Sequence, residues 1–264
     1  MNGRLVLNLT PAACLSELSE RGLVPDDQQA VYLAGSLVRG WGNATSDLDV
    51  YIVTGDPWQG EATAKAKVSV APGTIPIRAF YVGDRRWDVE YWSDRQVDEL
   101  RESLSWEAFE ATPSGGNLTT TEILFVDRLA YCETVTGAEW VLSRRRQFSD
   151  SAVRAIVASQ SLYELDTFTE DAVGMLANGD ADSAVLAARH AFSYAVDALL
   201  ASHGELEIQG KWRARRMQAV QPPELSFDEY WEVETMRSFD RRAPQDWVNQ
   251  VLKVCQRIVE KVQL

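Results

Sequence analysis

Two short segments constrain this chain more than anything else in it. Val31-Tyr32-Leu33-Ala34-Gly35-Ser36 reads as a strand that runs into a tight turn opening a helix. After a gap, Ser46-Asp47-Leu48-Asp49-Val50-Tyr51-Ile52-Val53 reads as a second strand. Asp47 and Asp49 are two apart, so on a strand both carboxylates project from one face. Leu48, Val50 and Ile52 point the other way, into a core. Paired carboxylates repel unless a cation neutralises them. Hard divalent ions such as Mg2+ take oxygen ligands from one or two carboxylates plus substrate phosphates. Gly35 lets the backbone come close to a ligand. The Ser36 hydroxyl and the amides of its turn, at a helix start, form a phosphate cradle.

Gly-Ser, a gap, then Asp-hydrophobic-Asp resembles the signature of polymerase-β-type nucleotidyltransferases. That family places a third carboxylate on a later strand of the same sheet. Arg85-Arg86-Trp87-Asp88-Val89-Glu90-Tyr91-Trp92 supplies one: Asp88 and Glu90 share a strand face, and Asp88 has the family's apolar flanks. The resemblance covers roughly the first half of the chain, most specifically Val31 to Trp92. Taken singly, the same residues read as a favoured helix start and as the wet sides of strands. Their order carries the resemblance.

The resemblance implies attack of a hydroxyl on the α-phosphorus of a nucleoside triphosphate, with pyrophosphate leaving. It implies two Mg2+ ions about 4 Å apart, both held by Asp47 and Asp49. Asp88 is the expected third metal ligand and the first choice to help deprotonate the acceptor. Glu90 faces the same way and is the rival general base. Gly35 and Ser36 are expected on the β- and γ-phosphates.

The chain has 264 residues, with 45% hydrophobic and 25% charged, an ordinary globular composition. No apolar run of about 18 residues offers a membrane span, and the N-terminus lacks a signal-peptide core. Cys14, Cys132 and Cys255 are far apart and without zinc spacing, which reads as reduced cysteines and a cytoplasmic location. The formal net charge of −13 argues against a nucleic-acid partner, because that affinity rests on Lys and Arg. It favours a cationic small substrate. His190 and His203 are the only histidines, so a His-based triad or His-rich metal site is not expected.

In order along the chain, Leu5 to Leu9 is a short strand or lead-in. Thr10-Pro11 is an N-cap with Pro at the first helical position. Gly60 to Gly73 reads as a helix followed by a loop. Ile75 to Val82 and Arg86 to Trp92 are strands joined by a Gly83-Asp84 hairpin turn. Ser93 with Gln96 forms a capping-box pattern. Pro113-Ser114-Gly115-Gly116-Asn117 marks a break. Beyond it, helices are expected over Glu122–Val135, ended by Gly137; Ser151–Leu176, either unbroken or broken near Glu170; Asp180 to Gly204; Tyr230–Phe239; and Pro244–Val262. The fold class is therefore α+β: an N-terminal mixed-sheet domain over 1–116 and an all-α helical bundle over 117–264.

That layout resembles aminoglycoside adenylyltransferases, whose bundle binds substrate. In related enzymes a Lys-Trp in this region points toward the nucleotide phosphates. Lys211, ahead of Trp212, is thus a candidate nucleotide-binding residue, or a solvated lysine in a basic segment. Glu164, Asp166, Glu170 and Asp171 are candidate contacts for a cationic acceptor, or a solvated helix face. The leading expectation is transfer of a nucleoside monophosphate, AMP from ATP first, to a hydroxyl of a small molecule such as an aminoglycoside-like antibiotic. The alternatives are a protein acceptor, as in toxin–antitoxin pairs, or a non-catalytic nucleotide-binding or interaction protein. The motif itself chooses neither base nor oligomeric state.

Overall fold

The computed structural model describes residues 10–112 and 118–264; the expected strand at Leu5–Leu9 and the break at 113–117 lie outside them. Among these residues the fold is α+β, with one six-stranded mixed sheet.

Helix α1 (Pro11–Glu20) starts as its sequence dictates, with the Thr10 hydroxyl accepting from the Ala13 amide and Pro11 in the first turn. Strand β1 (Gln28–Ala34) runs into α2 (Gly35–Val38), a single helical turn. Then come β2 (Leu48–Thr54), β3 (Ala64–Lys67), β4 (Thr74–Val82) and β5 (Arg85–Ser93). Helix α3 (Asp94–Ser103) begins with the Ser93/Gln96 capping box, and α4 (Trp106–Ala111) follows. Helix α5 (Thr120–Tyr131), strand β6 (Glu133–Thr136) and α6 (Ala138–Ser149) come next.

The sheet order is β3-β4-β5-β2-β1-β6. Only β2 and β5 run parallel; the other neighbours are antiparallel. One sheet face buries Val31, Leu33, Leu48, Val50, Ile52, Trp87, Val89 and Tyr91 with Cys14 and Leu18 of α1. Those strand positions alternate by two, which is why one face can be wholly apolar. On the opposite face Phe125 of α5 packs on Trp92, with ring centroids 4.2 Å apart, and edge-on to Tyr51 at 6.1 Å. That face carries the carboxylates.

Four expectations need correction. Within Gly60–Gly73 there is a strand rather than a helix: Ala64-Lys65-Ala66-Lys67 pairs with β4, and its lysines suit a short sheet edge. The helix expected over Glu122–Val135 stops at Tyr131. Arg145 donates to the carbonyls of Leu129 and Cys132, satisfying helix-end acceptors. The β-branched Thr134-Val135-Thr136 then joins the sheet against β1. Gly137 does not end that helix but precedes α6, with φ at +71° and no room for a side chain. A Cβ there would lie 2.1 Å from the Gln29 carbonyl oxygen.

Finally, a boundary at residue 116 cuts too early. The described residues of Met1–Ala108 and Leu118–Ser151 form one compact unit, and those of Phe109–Asn117 and Ala152–Leu264 the other. A sheet order that returns to residues 133–136 was not visible in local pattern.

The second unit is helical. Helix α7 (Val153–Ala177) runs without a break at Glu170. Helix α8 (Ala181–Ser202) starts at the Asp180 cap. A short 3-10 turn (Gly210–Trp212) leads into α9 (Arg213–Val220), then α10 (Phe227–Glu234) and α11 (Pro244–Val259). Helix α8 is apolar and long enough to cross a membrane by length and composition. It is also the core of this unit: Ala184, Ala188, Phe192, Val196 and Leu199 pack in one cluster with Trp247, Val251 and Ile258 of α11. Asp197 of α8 is buried and takes both Arg213, in a two-point contact, and Arg216.

Candidate active site

The site grows from strand register. In the parallel pairing of β2 and β5, Asp49 lies opposite Asp88 and Tyr51 opposite Glu90. Paired residues on neighbouring strands point to the same face, so the four side chains form a compact polar patch. Neighbouring strands lie about 4.8 Å apart, which sets the carboxylate spacing. The Gly35 turn closes over Asp49. With φ at +77°, Gly35 sits where a Cβ would be 1.9 Å from Asp49 Oδ2. The Ser36 carbonyl accepts from the Trp41 and Gly42 amides at 2.8 and 2.9 Å, folding the loop back on itself. Arg85 of β5 donates to the Ser46 carbonyl at 2.6 Å and so ties the end of that loop to the sheet.

Each inward carboxylate meets a guanidinium. Arg128, reaching from α5, has Nη1 3.4 Å from Asp49 Oδ1 and 3.5 Å from Glu90 Oε1. The same nitrogen donates to the Tyr51 hydroxyl at 2.5 Å, and Tyr51 donates to Glu90 Oε1 at 3.0 Å. Arg86 Nε donates to Asp88 Oδ1 at 2.8 Å. Desolvation pushes the Glu90 pKa above its ordinary value, although Arg128 and the Tyr51 hydroxyl hold part of the shift back. For Arg128, burial works to lower the pKa, but Tyr51, Asp49 and Glu90 together outweigh it and raise the value.

These groups line a cavity of about 330 Å³. Its wall holds Asp49, Asp88, Glu90, Arg86 and Arg128, with Thr63, Ala66 and Ile77 of the sheet edge and Leu124 of α5. That volume lies in the range of small-molecule sites.

Asp49, Asp88 and Glu90 are therefore brought together, with Gly35 against Asp49. Asp47 stands one residue before β2 and is exposed; its charge helps to raise the Arg86 pKa, behind the larger effect of Asp88. Ser36 is half-buried in the first turn of α2. Lys211 belongs to the second unit, is exposed, and holds its ammonium 5.7 Å from the Trp212 ring centroid. Asp166, Glu170 and Asp171 are exposed and Glu164 half-buried on α7. His190 stacks on Phe168, and His203 meets Glu224 at 3.2 Å. The three cysteines are free thiols.

The donor chemistry suits one hard divalent ion. Asp49 and Asp88 are oxygen donors on adjacent strands in one cavity wall, and Mg2+ binds through one or two carboxylates plus substrate phosphates. Among the described residues no three Asp, Glu, His or Cys side chains gather around one point.

Two participants escaped the sequence reading. Tyr51 lies two residues after Asp49, so strand periodicity already put it on the carboxylate face. Arg128 had no local signal, because its role depends on α5 docking on the sheet.

No protein-family model matches this sequence, and no curated protein matches it. Among solved structures, the chain is similar to a nucleotidyltransferase-like protein from Exiguobacterium sibiricum. The TM-score is 0.51 at 10% identity, over 95% of this chain and 74% of that one. At that identity the likeness concerns the fold: this chain has a nucleotidyltransferase-like fold.

Proposed function

We propose that this protein is a metal-dependent nucleotidyltransferase acting on a small-molecule hydroxyl, with ATP as the first nucleotide to test. The observation that carries this reading is the alignment of Asp49 with Asp88 beneath the Gly35 turn, on the wall of a cavity of ligand size. Asp49 and Asp88 would hold Mg2+, which when bound neutralises phosphate charge and steadies the leaving pyrophosphate. The chain's own groups do the rest. The Gly35–Ser36 turn presents amides to the terminal phosphates. Glu90 accepts the proton of the acceptor hydroxyl, whose oxygen bonds to the α-phosphorus as the bond to the bridging oxygen breaks. A carboxylate of raised pKa is a stronger base than an ordinary one. Lys211 is proposed as a further phosphate ligand, and the helical unit as the acceptor-binding part. The net charge of −13 favours a cationic acceptor, so aminoglycoside-like compounds head the screen. The proposed location is the cytoplasm.

One observation favours a second reading, a nucleotide-binding protein without transfer: Asp49, Asp88 and Glu90 all have guanidinium partners. Calorimetric titration of ATP with Mg2+ into the protein and into Asp49→Asn/Asp88→Asn tests the site. Binding that disappears in the double variant, with pyrophosphate released when an acceptor is added, supports transfer. Binding with no pyrophosphate from any acceptor favours the second reading. A folded protein that binds no triphosphate sinks both.

A further inference from the structure

One nitrogen of Arg128 serves Asp49, Glu90 and Tyr51 at once. Arginine keeps its charge at any working pH, so this part of the site holds a permanent cation. The two guanidinium groups of the site differ in how firmly they are held. The Arg86 side chain is 45% exposed and pairs with Asp88. An exposed pair of that kind is worth about 0–1 kcal/mol, so an entering ion can displace it. The Arg128 side chain is 18% exposed and sits among three partners, and stripping a buried charge of its partners is far more costly. Asp49 also divides its two oxygens. Oδ1 faces Arg128, whereas Oδ2 faces Gly35 and the turn that would hold phosphate.

We propose that Arg128 takes the place of one of the two divalent ions expected for this fold, so that the site binds a single divalent ion per chain. The proposal rests on the nucleotide-transfer reading above and sharpens it. Arg128 supplies fixed positive charge on the Glu90 side, and Asp49 and Asp88 would hold the one ion. The arrangement predicts that removing the guanidinium opens a second ion position bounded by Asp49 and Glu90.

The test is Mn2+ stoichiometry, followed by electron paramagnetic resonance and calorimetry, with saturating α,β-methylene-ATP as a nucleotide that cannot be cleaved. The full chain is compared with Arg128→Gln and Arg128→Lys, each checked for its folded far-UV spectrum. The expected result is one Mn2+ per chain in the native protein and in Arg128→Lys, which keeps the charge, and two in Arg128→Gln. Two ions in the native protein overturn the assignment of Arg128 but leave the nucleotide site standing. That measurement decides even where Arg128→Gln does not fold. One ion in a folded Arg128→Gln also overturns it. Absence of both Mn2+ and nucleotide from all folded forms rejects the nucleotide-transfer reading itself, and this proposal with it.

Discussion

Gly35 and Asp49 are packed so closely that a single added carbon would separate them: a Cβ on Gly35 would lie 1.9 Å from Asp49 Oδ2. The two meet at one end of the antiparallel β1–β2 pairing, where Ala34 is the partner of Asp49. The Gly-Ser turn and the half-buried Asp49 carboxylate are thus one piece of structure.

Gly35→Ala should therefore fail twice. Its φ of +77° is a left-handed conformation that costs a non-glycine residue about 1–2 kcal/mol, and the new methyl group displaces the Asp49 carboxylate. The expected outcome is a drop in thermal midpoint of a few degrees with loss of Mg2+-dependent ATP binding. Retention of full ATP affinity in calorimetry would show that the contact is not part of the site.

Glu90 gives a pH prediction. Its folded-state pKa is raised, chiefly by desolvation, so the fold binds this proton more tightly than the unfolded chain does. Its stabilising contribution is complete below the unfolded value of about 4.3. It is lost as pH rises through the higher folded value. Glu90→Gln removes the ionisation and keeps an acceptor for the Tyr51 hydroxyl. The thermal midpoint of Glu90→Gln relative to native protein should rise between pH 4 and pH 7. A constant or falling difference would contradict the burial argument. If Glu90 is the base, transfer in the native protein declines on acidification at a pH above the ordinary glutamate range, and Glu90→Gln lowers kcat by about 10²–10⁴.

Glu122 is fully buried and accepts four hydrogen bonds. The Ser69 amide and hydroxyl reach Oε1 at 2.7 and 2.6 Å, and those of Thr119 reach Oε2 at 2.8 and 2.9 Å. It caps α5 and pins the segment between β3 and β4. Glu122→Ala strands these donors, at about 1–3 kcal/mol for each buried group left unpaired. Chemical denaturation should show a loss of several kcal/mol, and Glu122→Gln should recover part of it. Because α5 carries Arg128, the Ala variant should also weaken nucleotide binding.

In the helical unit, Asp197 pairs with both Arg213 and the fully buried Arg216. Removing one partner of a buried ion pair costs about 3–5 kcal/mol. Asp197→Ala should lower the urea midpoint sharply or prevent folding. A change under about 1 kcal/mol would mean that solvent or another carboxylate takes over.

Much of the carboxylate face was readable in advance because strand periodicity is local. Leu48, Val50 and Ile52 face the core with α1, and Asp88 and Glu90 line the cavity together, as alternation requires. The helix starts at Thr10, Ser93 and Asp180 were equally local, since each depends on a side chain reaching an amide three residues on. Glu133–Thr136 was missed because four residues carry too little pattern to override the helical run before them. Only the unpaired edge of β1 makes them a strand.

The sequence by itself determined which residues could share a face and where helices begin, because those depend on neighbours a few positions away. Only the tertiary structure decided that Asp49 lies beside Asp88, 39 positions along the chain, through a parallel register. It alone decided that Arg128 stands between Asp49 and Glu90. Pairing register and helix docking are set by the burial of whole faces. No local window contains the apolar surface that α5 covers, so no local window can tell where its one inward arginine will end.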